Sequence, residues 1–309
     1  MPTDRADFHI LSLDGGGAKG IYTLGILKEI EALANRKLFE EFDLIYGTST
    51  GSIIAALLAL GHSTEEITQH YFELIPEVMK HKWKSARTAA LKKSVHQILG
   101  DQRFDAFRTD IGIVTTHYDQ TKPMIFKSSV RQAHGRFSTF KPGFGCTIAD
   151  AVIASSAAFP FFERAKVITS NQGEPELIDG GFVANNPTLL AIADAVKAYE
   201  IPKEKIKVLS LGVGSYKEPQ KKLFYRLLFK INFAQIVPKV FEASTVTVEQ
   251  LRLILFPDIA AIRINDAFPQ EEYKTDFLES DLDKLKKLHA LGRESFARHE
   301  RSLKEFFGW

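Results

Sequence analysis

The sequence predicts an α/β fold in which a sheet is covered by helices. Two units carry that prediction, because each runs strand, glycine-rich turn, helix. The first is the apolar run FHILSL at 8–13, then Asp14 to Gly20, then a helix over 21–34 with Leu24, Leu27, Ile30 and Ala34 near one face. The second is a strand over 42–46, then GTSTGS, then the very apolar segment 53–60. A further buried strand at 206–211 runs into Gly212-Val213-Gly214.

The other elements follow in chain order. Ser63 or Thr64 caps the next helix, and Glu66 completes a capping box if Ser63 is the cap. Residues 79–96 are basic and read as helix, and 100–107 as a connector. Strands at 111–116 and 123–127 flank turn residues 119–121, and a glycine, proline and aromatic loop covers 135–145. A helix over 148–158 stops at Phe159-Pro160. Residues 176–178 lead into Asp179-Gly180-Gly181, and Asn185-Asn186-Pro187 precede a helix over 189–199. Beyond 214 come a basic aromatic segment at 217–241, a helix near 243–256, a strand at 261–264 and a charged helical region at 279–307. No linker interrupts the chain. One domain over 1–309 is expected, with the motifs within 8–214 and a helical, regulatory part over 215–309.

Composition narrows the function classes. The net charge of +2 gives no argument for nucleic acid, and neither DNA nor RNA is expected as a partner. The lone Cys146 excludes an intrachain disulfide and is too isolated for a metal cluster, so a buried structural thiol is expected. The 24 phenylalanines suggest a surplus lining an apolar pocket or a membrane-facing surface. The N-terminal residues lack a signal-peptide layout, and no run reaches the ~20 apolar residues of a spanning helix. A cytoplasmic protein is expected, touching a membrane from one side at most.

Gly47-Thr48-Ser49-Thr50-Gly51 matches G-x-S-x-G between an apolar strand and an apolar helix, the setting of a nucleophile elbow. The flanking glycines permit a turn that a Cβ would obstruct. A serine-capped structural turn is the alternative. Gly15, Gly16 and Gly17 let backbone N–H groups converge on an oxyanion. A dinucleotide-binding loop over Gly15–Gly20 competes with that reading, but the acid it needs on a second strand end is poorly matched. The histidines after Asp179, His289 and His299, lie in a charged helical region, and the earlier ones have no glycine-shaped setting. The pattern therefore favours a dyad without histidine, with Asp179 as the base for Ser49. An ordinary turn aspartate is the alternative for Asp179.

These motifs, in this order over roughly 8–214, resemble the patatin-like phospholipase family. DGGGAKG (14–20) is similar to its oxyanion loop, with Lys19 where arginine is common. Gly47 to Gly51 resembles its nucleophile elbow, Asp179-Gly180-Gly181 its aspartate motif, and Ala154 to Pro160 another, non-catalytic family segment. The resemblance implies a three-layer fold with a central, largely parallel sheet and a Ser49–Asp179 dyad. It also implies an oxyanion hole at Gly15 to Gly17 and catalysis without a metal. Lys19 is expected to shape the loop or attract phosphate. The chain is also similar to the family's antiphage effectors. That likeness implies a cyclic oligonucleotide activator made by a partner synthase, attack on the inner membrane and homo-oligomerisation. A constitutive lipase, carboxylesterase or thioesterase uses the same motifs.

Two segments carry basic and aromatic residues together, as an anionic membrane surface requires. Residues 80–93 hold Lys80, Lys82, Lys84, Arg87, Lys92 and Lys93 around Trp83, and residues 217–241 interleave basic and aromatic side chains. Solvated helix faces, nucleotide phosphate or another subunit are alternative explanations.

Overall fold

A computed structural model describes residues 6–216 and 233–309. Most of the basic aromatic segment at 217–241 lies outside the described residues. The chain builds an eight-stranded mixed sheet. Its middle is parallel: β3 (Asp110–His117), β2 (Leu44–Thr48), β1 (Phe8–Leu13), β7 (Ile206–Leu211) and β9 (Ala260–Ile264). At one side β4 (Lys122–Lys127) and β6 (Glu176–Asp179) run antiparallel to β3, and β5 (Ala165–Lys166) antiparallel to β6. The pairing of β6 with β3 places Asp179 opposite Thr115.

The parallel strands are apolar on both faces, as a sheet covered on both sides demands. Leu11, Leu13, Ile45, Ile111, Ile113, Leu209 and Leu211 join one core cluster. It also contains residues of α1 (Gly20–Ala34), α3 (Thr50–Leu60), α4 (Thr64–Met79), α5 (Lys84–Leu99) and α6 (Ile148–Ser155). Ile10, Leu44, Tyr46, Val114 and Val208 point the other way, against α8 (Thr188–Lys197). The helix Phe233–Leu255 covers α8 and the single turn α7 (Gly181–Ala184). The result is helices, sheet, helices, as the sequence predicts.

The strands 8–13 and 206–211 fall where the sequence places them, and Ser63 forms its capping box with Glu66. Other boundaries shift for local reasons. The second strand is Leu44–Thr48, because Phe42 ends the short helix α2 (Leu38–Glu41). Helix α3 starts at Thr50, directly on the elbow. Met79 belongs to α4, so the basic helix starts at Lys84 and runs to Leu99. Helix α6 ends at Ser155, before the turn at the cis Phe159–Pro160 peptide. The helix expected near 243 covers Phe233–Leu255 among the described residues. Cys146 is buried and its thiol is pushed up to about 12, mainly by burial.

The terminal helix Leu282–Phe307 lies along α1 with backbone contact. A Cβ on Gly25 would sit 2.1 Å from the His289 carbonyl, and one on Gly292 would sit 2.1 Å from the Tyr22 carbonyl. Only glycine permits that approach. Gly292→Val is therefore expected to cost about 2 kcal/mol or more, read as a fall in the urea midpoint at unchanged slope.

Candidate active site

Three strand ends meet on one edge of the sheet. Strand β1 ends in the glycine loop, β2 in Ser49, and β6 in Asp179. The first two turns are packed backbone on backbone. A Cβ on Gly51 would lie 2.3 Å from the Leu13 carbonyl, and one on Gly47 2.4 Å from the Gly51 carbonyl. Gly180 is held likewise, 2.2 Å from the Val114 carbonyl, and Gly181 donates its N–H to Asp179 Oδ1 at 2.7 Å.

Ser49 itself adopts φ 52 and ψ −124, a left-handed backbone that a non-glycine residue avoids unless its surroundings impose it. The sharp turn, with the geometry of a nucleophile elbow, projects the hydroxyl out of the strand line. Ser155 fixes the turn from α6. Its Oγ accepts the Ser49 N–H at 2.9 Å and donates to the Val114 carbonyl at 2.6 Å. Ser155 stands in the Ala154 to Pro160 segment, but its tie to Ser49 is visible only in three dimensions.

The Ser49 hydroxyl donates to Asp179 Oδ2 at 2.6 Å. Asp179 is fully buried, and that burial pushes its carboxyl up to about 7, against the lowering effect of the Ser49 and Gly181 hydrogen bonds. No histidine bonds to Ser49 among the described residues. The pairing expected from sequence is therefore present in space.

The glycine loop is held from both ends. Asp14 accepts both terminal guanidinium nitrogens of Arg263, at 2.8 and 2.5 Å. Burial alone would lower Arg263, but the Asp14 carboxylate outweighs it and holds the guanidinium above its ordinary range. The Gly15 N–H is engaged by the Asn185 carbonyl at 3.0 Å. Gly16 and Gly17 donate no backbone hydrogen bond among the described residues. Gly16 packs on Val213, and Gly17, at φ +59, packs on Phe277. Lys19 lies beyond the loop, lowered by burial against the charges of Glu242 and Asp276. Arg263, Asn185 and Phe277 were not legible as parts of this site.

Ser49 opens into a cavity of about 30 Å³ walled by Ile53, Leu74, Val78, Leu91, Phe162 and Phe277. That holds ~1 or 2 waters and no acyl chain. Phe277 stacks on Phe161 at 5.4 Å, and its carbonyl accepts the Ala18 N–H, so the cover is tied to the glycine loop. Two buried hydroxyls lining this cavity, Thr50 Oγ1 and Ser156 Oγ, have no partner.

The profile described as patatin-like phospholipase matches residues 11–192. Over 297 residues, 96% of this chain and 93% of the relative, the chain is 50% identical to a cUMP-AMP-activated phospholipase of Escherichia coli. It is 27% identical over 234 residues to a cGAMP-activated phospholipase of Escherichia coli strain TW11681, covering 68% of this chain and 63% of that one. Among solved structures, VipD from Legionella pneumophila shares the fold, with a TM-score of 0.51 at 12% identity over 96% of this chain and 67% of VipD. The chain belongs to the patatin-like phospholipase family and is a lipid hydrolase.

Removing the Ser155 hydroxyl strands the buried Ser49 N–H. Ser155→Ala is expected to lose about 1–3 kcal/mol of stability while still folding, measured by urea denaturation.

Proposed function

We propose that this chain hydrolyses ester bonds of membrane phospholipids through a Ser49–Asp179 dyad and is switched on by a cyclic dinucleotide. The observation that carries the dyad is the 2.6 Å hydrogen bond from Ser49 to a carboxylate held dry enough to sit at about 7. A carboxylate at its ordinary value is a weak base, and one near neutrality accepts the serine proton much more readily. In the proposed reaction Ser49 Oγ attacks the ester carbonyl as its proton passes to Asp179 Oδ2. The N–H groups of Gly16 and Gly17 receive the oxyanion. Asp179 returns the proton to the departing lysolipid alkoxide. Water, deprotonated by Asp179, then releases the fatty acid and restores Ser49. Gly15 supports the loop rather than the oxyanion. Lys19 sits behind the loop and shapes it.

The regulatory half rests on the nucleotide-activated relatives and on the narrow cavity. A site with room for water alone needs a conformational step before a lipid enters. That step gives a synthase-made nucleotide something to control.

Membrane contact is assigned to the turn between α4 and α5. Trp83 is 77% exposed there, flanked by exposed Lys82 and Lys84. Val78, Met79 and Leu91 beside it wall the Ser49 cavity. Arg87 is not part of the membrane-facing charge. It donates to the carbonyls of His81, Lys82 and Phe161 and stiffens the turn that presents Trp83. No described helix is long and apolar enough to cross a membrane, so the proposal is one-sided contact with the inner leaflet.

Ser49→Ala and Asp179→Asn are each expected to reduce fatty-acid release at least ~10³-fold, followed by mass spectrometry with and without cyclic UMP–AMP. Wild-type kcat/KM on a soluble ester should rise as pH passes through about 7, because Asp179 accepts a proton only when ionised. Full activity in Asp179→Asn would overturn the dyad. Hydrolysis of acyl thioesters alone would move the substrate class.

Trp83→Ala is expected to weaken binding to anionic vesicles and slow vesicle hydrolysis several-fold, with short-chain ester turnover unchanged. An equal loss on both substrates would remove Trp83 from the interface.

A further inference from the structure

A second, wider groove lies at the other end of the sheet. It encloses about 560 Å³, in the range of small-molecule sites. Its floor is made where β1, β2, β3 and β7 begin, whereas Ser49 stands at a strand's far end. A six-residue strand such as β1 spans roughly 20 Å, so this groove is remote from the proposed chemistry.

Its lining is built for a ligand with both phosphate and rings. The Arg108 guanidinium lies over Phe39 at 4.6 Å, and that of Arg131 lies over Tyr199 at 4.4 Å. Lys205 stands on the rim. None of these three cations is in an ion pair among the described residues. A guanidinium held by its face against a ring keeps its in-plane N–H groups free for phosphate oxygens. Three acids share the lining with them. Asp7 pairs with Lys207 at 2.8 Å, Asp43 accepts the His9 N–H at 2.8 Å, and Asp110 accepts the Tyr199 hydroxyl at 2.6 Å. The remaining oxygens of Asp7 and Asp110 are acceptors, which suit the N–H edges of bases. Phe8, partly exposed, supplies apolar surface for stacking.

We infer that this groove binds the activating cyclic dinucleotide, with Arg108 and Arg131 on its two phosphodiesters. The inference rests on the activation proposed above and adds its location. The groove also has a structural route to the cover of Ser49. Its wall residue Phe42 packs on Phe307 at 5.8 Å, at the end of the terminal helix. The residues just ahead of that helix include Phe277, which closes on Gly17. A ligand that shifts Phe42 acts on an element that reaches from the groove toward the cover of Ser49.

The test is calorimetric titration of the full chain with cyclic UMP–AMP, cyclic GMP–AMP and ATP. Wild type and Ser49→Ala are expected to bind one cyclic dinucleotide with equal affinity. Arg108→Gln and Arg131→Gln should each raise Kd at least ~10-fold, with thermal melts and unstimulated short-chain ester turnover unchanged. Arg108→Lys and Arg131→Lys should recover part of the binding. Should a Gln variant fail to fold, Lys205→Glu on the exposed rim is expected to weaken binding in its place. Wild-type affinity in folded Arg108→Gln and Arg131→Gln would overturn the groove and leave activation standing. ATP binding as tight as the cyclic dinucleotides would overturn the assignment of ligand. A wild-type chain that binds none of the three would overturn both the groove and the activation.

Discussion

The site depends on two strand-to-helix turns that meet backbone against backbone. Leu13 of β1 is in register with Gly47 of β2, so the two chains leave the sheet side by side. From there the glycine loop must pass within contact of the elbow. A Cβ on Gly15 would lie 2.5 Å from Asn185 Oδ1 and 3.1 Å from Ser49 Cβ, and one on Gly51 would strike the Leu13 carbonyl. Any side chain at these positions would push the loop away from Ser49. The proposed oxyanion donors and nucleophile share one geometry because nothing stands between them.

Burial then sets the electrostatics. Asp179 receives its hydrogen bonds from Ser49 and Gly181 and sees no solvent. The same dryness that lifts its carboxyl to about 7 also excludes the substrate from the narrow cavity. A histidine base has a suitable value without such burial, so a histidine-free dyad ties basicity to enclosure. Opening the cavity for an acyl chain replaces water with apolar lipid beside Asp179. The enclosure that makes the carboxylate basic is then supplied by the substrate itself.

The sheet and the Ser49–Asp179 pair were legible because their signals are local. FHILSL reads as a buried strand wherever it occurs, and a serine between two glycines at a strand–helix junction has few structural alternatives. The supporting shell was not legible. Arg263 reaches Asp14 across 249 positions, and Asn185 reaches Gly15 across 170. Neither has a spacing rule to betray it. Phe277 reads as one more phenylalanine in a charged stretch until its ring is seen beside Gly17. Arg87 shows the converse error. Its place in a lysine-rich run suggested surface charge, yet three backbone carbonyls hold it. Composition reports charge, and only packing reports whether that charge is free.

An α/β sheet offers two ends, and this chain builds on both. At the carboxyl ends the turns are glycine-rich and close-packed, which suits fixed donors and a fixed nucleophile. At the other end the chain enters the strands through short, polar connections that carry arginine against aromatic rings and leave a broad groove. The parallel middle strands are buried on both faces and cannot slide without disturbing the register that aligns Leu13 with Gly47. A signal between the ends therefore has to run outside the sheet. The terminal helix satisfies that condition. It lies on α1 through the Gly25–Gly292 contact, and it is continuous with the residues that cover Ser49. A rigid sheet can keep Ser49 aligned with Asp179 while elements outside it change access to the pair, which a site assembled from mobile loops could not do.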